Sequence, residues 1–349
     1  MIVLMKIVST FVLTDAQRKL IQEAGPQANL VDPTQVPGRT ARHALFDAEV
    51  MASHLGDCDV MLAYTIPKDL ATRAPRLKWL HCMAAGLDYV LRTGEFDHGK
   101  VMLTNTSGAQ ATMIGEYILM SMLACAHQYH TSIRAQSRHE WIGLGYFFAN
   151  ADSLRGKTVG IIGYGPIGRE AARLAQAFGM EVLALKRDPD VYRDPRFGMP
   201  GVGDPEGRIP RRWFGPQARA ELIALCDFIV VALPLTAETR HFVGVRELAA
   251  AKPTACLVNV GRGEVIDQDA LVAALVDKRL AVAALDVMVP EPLPKDHPLW
   301  DIPNVILTPH SSGPNTGYQQ DCCQIFAENL RRFVSGRELL NVVDVKRGY

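Results

Sequence analysis

The chain has 349 residues, enough for two compact units of ordinary size. Its 48% hydrophobic and 7% aromatic content belongs to a globular enzyme, neither a disordered chain nor a membrane protein. Lys+Arg and Asp+Glu both number 37, so no net charge draws it to nucleic acid or an anionic membrane, and neither is expected as a partner.

The apolar opening from Ile2 is broken by Lys6, too soon for an export signal. Strand-like runs at Ile2 to Val8, Val60 to Ala63 and Leu77 to Met83 alternate with helical patterns, the first of them opened by Thr14-Asp15, whose side chains can accept from free first-turn amides. That alternation predicts a small parallel sheet. Ala109 to Ala126 approaches membrane length, but Glu116 lies inside it and Gly115 and Ser121 interrupt it, so a buried helix is expected. The seven cysteines are scattered, with only Cys322 and Cys323 adjacent, which predicts no metal site and no disulfide framework and fits a reducing cytoplasm.

Alternation restarts at Val159 to Gly163, Val182 to Leu185, Phe228 to Leu233, Ala255 to Val260, Val282 to Asp286 and Val305 to Leu307. So many strands in one block predict a doubly wound sheet. Between Asp188 and Pro216 a Pro-, Gly- and Arg-rich stretch without apolar periodicity reads as a surface excursion. The last helical pattern, Thr316 to Val334, puts Ile325, Phe326, Asn329, Leu330 and Phe333 on one side, suited to folding back on the first unit. The expected class is therefore α/β with two Rossmann-like or flavodoxin-like parallel-sheet domains. Residues 1–108 and 317–349 would form the substrate domain and 109–316 the nucleotide-binding domain inserted in it.

Gly163-Tyr164-Gly165-Pro166-Ile167-Gly168 follows an apolar strand and opens a helical pattern, the setting that makes Gly-x-Gly-x-x-Gly a dinucleotide fingerprint. Gly163 would permit the tight turn, Gly165 the approach of a pyrophosphate, and Gly168 close packing of helix on strand. The helix amino end adds free amides and partial positive charge. An acid usually ends the next strand, but here Lys186 and Arg187 stand there, able to pair with a ribose 2'-phosphate. NADP(H) is therefore preferred and NAD(H) stays possible, since Asp188 could still reach ribose hydroxyls.

Three polar segments end later strands: Asn259 to Gly263, Asp286 to Pro292, and Leu307 to Gly313. Ligands of doubly wound sheets sit at such carboxyl ends. Reducing a keto acid needs a fixed cation for its carboxylate and a proton donor at the carbonyl oxygen, and Arg262 and His310 supply them. Glu291, hydrogen-bonded to His310, would favour and orient the imidazolium. Singly, each residue has a blander reading as a loop ion pair, an exposed acid or a capping histidine; consecutive strand ends tip the balance.

Together these segments resemble the D-isomer-specific 2-hydroxyacid dehydrogenases over nearly the whole chain. The resemblance includes Leu77-Lys78-Trp79-Leu80 before Ala84-Ala85-Gly86-Leu87-Asp88, the fingerprint, Leu233-Pro234-Leu235-Thr236, Gly261-Arg262-Gly263, Glu291-Pro292 and Thr308-Pro309-His310. It implies Arg262, Glu291 and His310 as the catalytic set and Met83, Ala84, Ala85 and Gly86, with Arg262, as the substrate carboxylate clamp. It puts Pro166 and Ile167 at the pyrophosphate, Asp286 near the nicotinamide amide, and Leu233 and Val260 along the cofactor, with Pro234, Gly261, Ser312 and Gly313 counted beside them. It also implies a homodimer through Ala109 to Asn150, where Trp141, Tyr146, Phe147 and Phe148 would suit an interface unless they are ordinary core. The expected activity is hydride transfer between a nicotinamide cofactor and a small 2-keto or 2-hydroxy acid of the glyoxylate or hydroxypyruvate kind. The alternatives are a nucleotide-sensing, corepressor-like binding protein, or a dehydrogenase of another donor such as formate or phosphite.

Overall fold

A strand covered on both faces of a parallel sheet must be apolar along its length. Val60–Ala63 and Phe228–Val231 are strands of that kind, buried at every residue. The computed structural model of the protein describes residues 5–35, 48–87, 90 and 99–345. The chain divides into two units, Met1–Ala109 with Asn315–Tyr349, and Gln110–Pro314.

The first unit holds β1 (Lys6–Ser9), β2 (Asn29–Val31), β3 (Val60–Ala63), β4 (Trp79–Cys82) and β5 (Met102–Asn105). They form a parallel sheet in the order β2-β1-β3-β4-β5, whose reversal between β1 and β3 is flavodoxin-like. Thr14 caps the Asp15–Ala24 helix: its hydroxyl accepts from the Gln17 N–H at 3.3 Å, and the Gln17 side chain accepts from the Thr14 N–H at 3.0 Å. The Tyr318–Val334 helix packs here through Phe326, stacked on Trp79 at 5.0 Å. Asn329 keeps its place on that buried side because Leu340 satisfies it twice, donating to Oδ1 at 2.8 Å and accepting from Nδ2 at 2.9 Å.

The second unit holds β6 (Thr158–Ile162), β7 (Glu181–Leu185), β8 (Arg212–Phe214), β9 (Phe228–Val231), β10 (Cys256–Asn259), β11 (Val282–Leu285) and β12 (Val305–Leu307). All pairs are parallel in the order β12-β11-β10-β9-β6-β7-β8. The order reverses between β6 and β9, so the crevice for a ligand opens at the turn after β6.

Three features differ from the sequence expectation. Strands β2 and β5 carry no clear alternation and were not anticipated. Residues 212–214 of the excursion form β8, the sheet edge beyond β7, and the rest docks on the Pro166–Ala177 helix. There Arg169 donates to the carbonyls of Tyr192, at 2.6 Å, and Asp204, while Glu170 accepts from the Gly203 N–H at 2.6 Å. The Ala111–Ala126 helix buries only one side, against that same helix, where a side chain at Gly115 would meet Glu170 at 2.7 Å. Its other side exposes Met113, Glu116 and Met120. Among the described residues no helix is long and apolar enough to cross a membrane, and all seven cysteines are buried and unpaired.

Candidate active site

Two of the fingerprint glycines are dictated by backbone contact. Gly163 has φ +104°, and a Cβ there would lie 2.7 Å from the Ala232 carbonyl oxygen. A Cβ at Gly168 would sit 2.3 Å from the Gly163 oxygen, so helix and turn close only without one. Gly165 differs, because the atoms nearest its would-be Cβ belong to the Arg196 guanidinium, at 3.4 and 3.6 Å. Gly165 caps the helix and Pro166 begins it, where a missing N–H costs nothing; Ile167 is half-buried in the same turn. A glycine turn open to a ligand, helix-start amides and a nearby cation fit an anionic dinucleotide.

At the end of β7, Lys186 is half-buried, donates to the Val191 carbonyl and lies 5.7 Å from the Trp213 ring centre. Burial, then the charge of Arg169, pull its pKa below the ordinary lysine value. Arg187 is exposed, its Nε 4.0 Å from Glu238. Asp188 accepts from the Asp190 N–H at 3.2 Å, which ties it to its own loop.

The strand ends are pressed together by glycines. A Cβ at Gly261 would lie 2.5 Å from the Leu233 oxygen after β9, and one at Gly263 would lie 2.3 Å from the Met288 oxygen after β11. Between them, the Arg262 carbonyl accepts from Asn259 Nδ2 at 3.2 Å, and its guanidinium donates to the Gly261 carbonyl at 2.9 Å. Glu291 links this segment to the next: Oε1 accepts from the Met288 N–H at 3.0 Å, and Oε2 accepts from His310 Nδ1 at 2.8 Å. A carboxylate only accepts, so Nδ1 carries the proton of that bond and Nε2 is left for a ligand. The His310 side chain is 49% exposed and Glu291 36%. Arg262, Glu291 and His310 thus stand at the carboxyl ends of neighbouring β10, β11 and β12.

His310 has φ +53°, a conformation costly for a residue with a Cβ. Its N–H is held by the Asp286 carbonyl at 2.9 Å, and the buried Asp286 carboxylate accepts from Thr308 Oγ1 at 2.6 Å, Ser311 N–H at 2.8 Å and Ser312 N–H at 3.0 Å. Asp286 therefore shapes the His310 turn from beneath, a role the sequence did not reveal. Tyr117 extends the network, its hydroxyl 2.7 Å from Thr308 Oγ1, and burial raises the phenol pKa so that it stays protonated. A tyrosine on the buried side of the Ala111–Ala126 helix was the only signal for it. Among the other expected cofactor residues, Val260, Gly261, Ser312 and Gly313 are buried, Leu233 is half-buried and Pro234 is exposed.

In the first unit, the Met83–Gly86 loop is fixed by its carbonyls. Met83 accepts from the Tyr318 hydroxyl at 2.8 Å, Ala84 from the Thr106 N–H at 3.3 Å, and Ala85 from Asn105 Nδ2 at 3.0 Å. Asp88, which closes that motif, lies outside the described residues.

A glycine-turn dinucleotide site and a His–Glu pair on one sheet edge define a nicotinamide-dependent dehydrogenase. Residues 119–312 match the D-isomer specific 2-hydroxyacid dehydrogenase, NAD binding domain. The chain is 34% identical over 283 residues to glyoxylate/hydroxypyruvate reductase B of Pectobacterium atrosepticum, covering 80% of this chain and 82% of the relative. A D-isomer specific 2-hydroxyacid dehydrogenase from Xanthobacter autotrophicus, solved with NADPH and MES, superposes with TM-score 0.75 at 26% identity over 99% of both chains. The NADPH-dependent glyoxylate/hydroxypyruvate reductase of Sinorhizobium meliloti, solved with NADP and sulfate, gives TM-score 0.73 at 25% identity over 99% of this chain and 100% of that one. The chain belongs to the D-isomer-specific 2-hydroxyacid dehydrogenase family. It is an NAD(P)-dependent oxidoreductase of small 2-keto and 2-hydroxy acids, and the corepressor-like alternative gains no support from these relatives.

Proposed function

We propose that the protein works as an NADPH-preferring reductase of glyoxylate, hydroxypyruvate or a similar small 2-keto acid. The observation that carries the reading is the 2.8 Å His310–Glu291 pair on the strand end beside Arg262. When bound, the reduced nicotinamide supplies a hydride to substrate C2. His310 delivers a proton from Nε2 to the carbonyl oxygen, Glu291 holds the ring through Nδ1, and Arg262 binds the carboxylate and polarises the carbonyl. The Ala84–Gly86 amides add hydrogen bonds to the carboxylate, whereas the expected Met83 amide is not available, its N–H being given to the Ala63 carbonyl at 2.8 Å. Gly163, Gly165, Pro166, Ile167, Gly168, Leu233, Pro234, Val260, Gly261, Ser312 and Gly313 line the cofactor, Lys186 with Arg187 meets the 2'-phosphate, and the buried Asp286 backs the nicotinamide end through the turn it holds. The NADPH and NADP bound by the structural relatives support that preference.

The same reading makes the protein a cytoplasmic homodimer. Buried, unpaired cysteines suit a reducing compartment. Trp141 is 96% exposed and Phe148 89%, large apolar side chains better covered than left in water, and Met113 and Met120 of the Ala111–Ala126 helix are exposed as well. Light scattering returning twice the chain mass supports the dimer, and a monomer removes it.

The direct test follows oxidation of NADPH and, separately, NADH at 340 nm with glyoxylate, hydroxypyruvate, phenylpyruvate and branched keto acids. Turnover of the small acids with NADPH ahead of NADH is expected. Nucleotide binding without turnover on any of them would defeat the reductase assignment.

A further inference from the structure

The excursion between β7 and β8 brings a cation to a place where the fingerprint alone supplies only backbone. Arg196 is held by Asp194, with Nε 2.8 Å from one carboxylate oxygen and Nη2 2.7 Å from the other. The bidentate fork leaves the guanidinium oriented over Gly165, 3.4 Å from the position of a Cβ there. Asp194 is itself anchored: its side chain is 8% exposed and it forms an ion pair at 3.2 Å with Arg169, the residue that follows Gly168.

The anchoring continues into the loop. Asp204 accepts from the Tyr164 hydroxyl at 2.8 Å, the Arg208 N–H at 2.9 Å and the Ile209 N–H at 3.0 Å, and Trp213 meets the Tyr164 ring edge-on at 4.9 Å. A segment tied down this way delivers Arg196 to one location. Arg169, Lys186 and Arg196 lie among the carboxylates of Asp194, Asp204 and Asp188. Burial tends to raise the Asp194 pKa, but the Arg196 hydrogen bond and charge outweigh it and keep the carboxylate ionised. The Lys186 pKa is lowered by burial first and then by Arg169, with Asp194 and Asp188 acting against Arg169 and Arg196. A phosphoryl group at this point would take a charge-assisted hydrogen bond from a guanidinium whose position Asp194 fixes.

We propose that Arg196 is a phosphoryl ligand of the bound dinucleotide, carried over the Gly165 turn by the excursion, with Asp194 as its positioning residue. This rests on the nucleotide-dependent reading above and adds to it a ligand from outside the glycine fingerprint. A guanidinium at this height can serve either the pyrophosphate or the ribose 2'-phosphate, and the two sources are separable by choice of nucleotide.

The test is direct binding without substrate, by calorimetry, of NADPH, NADH, 2'-phosphoadenosine 5'-phosphate and AMP to the wild type, Arg196→Gln, Arg196→Lys and Asp194→Asn. Arg196→Gln is expected to weaken NADPH by about ten-fold or more, the loss of one charge-assisted bond, and Arg196→Lys by less. Asp194→Asn should weaken binding between those limits while thermal unfolding still shows the folded protein. Equal weakening of NADH assigns Arg196 to the pyrophosphate; weakening confined to NADPH and the 2'-phosphorylated fragment assigns it to the 2'-phosphate. Unchanged or tighter binding in folded Arg196→Gln and Arg196→Lys overturns the proposal while leaving the reductase reading intact. A wild type that binds no dinucleotide overturns both.

Discussion

In the first unit the polar side chains of the sheet are turned inward. Trp79 Nε1 donates to Thr104 Oγ1 at 2.8 Å, and the same hydroxyl meets His81 Nδ1 at 2.7 Å, all three residues being fully buried. In the second unit polar groups gather past the strand ends, where Asp286 bends the chain and His310 and Glu291 reach water. Both sheets are parallel. A histidine inside the sheet is consumed by packing, whereas one beyond a strand end stays available for proton transfer. Position relative to the strand end, more than residue type, separates the buried His81 from His310, the proton donor we propose.

Removing the chemical histidine should have the largest effect. His310→Ala is expected to lower kcat/KM for 2-keto acid reduction by about 10²–10⁴-fold, with dinucleotide binding retained in a calorimetric titration. Near-normal turnover would place the proton donor elsewhere. Gly163→Ala attacks the second unit's backbone instead. With φ +104° and the Ala232 carbonyl 2.7 Å from the new Cβ, a loss of about 3 kcal/mol is expected in urea unfolding, and a variant as stable as the wild type would mean that the turn can relax.

The inward network of the first unit gives smaller effects. Thr104→Val strands the Trp79 N–H and should cost about 1–2 kcal/mol without changing NADPH affinity; a change in affinity would break the separation between the two uses of polar groups. His81 adds a pH dependence. Burial lowers its pKa from 6.5 to about 3, so the unfolded chain takes up a proton that the folded one refuses. The stability from the neutral ring is complete above the unfolded value near 6.5 and is lost progressively as pH falls toward 3. Between pH 6 and 4, His81→Gln should flatten the decline by up to about 1.4 kcal/mol per pH unit, read from urea midpoints. An unaltered slope would assign the acid sensitivity to other groups.

Much of both units was legible because the requirements are local. Gly163 and Gly168 are demanded by backbone contacts within the turn and with the adjoining strand end, Thr14 by the unpaired amides of one helix end, and strands β3, β9 and β12 by unbroken apolar runs. The resemblance named Arg262, Glu291 and His310, and the structure adds the Glu291–His310 hydrogen bond and the strained turn beneath it.

Two three-residue edge strands were not legible, whereas a third, Val305–Leu307, was, because all its residues are apolar. Asn29–Val31 and Arg212–Phe214 have three residues each, too few for a period, and depend on the neighbours they pair with. Likewise the excursion looked structureless because its order comes from Asp194 and Asp204 meeting Arg169 and Tyr164, residues distant in sequence. By itself the sequence determined the class of fold, the dinucleotide turn and the chemistry-bearing strand ends, since these follow from backbone sterics and hydrophobic runs. Only the tertiary structure decided that His81 is buried, that Asp286 supports the His310 turn and that Arg196 lies over Gly165, because each depends on which distant side chain occupies the adjoining space.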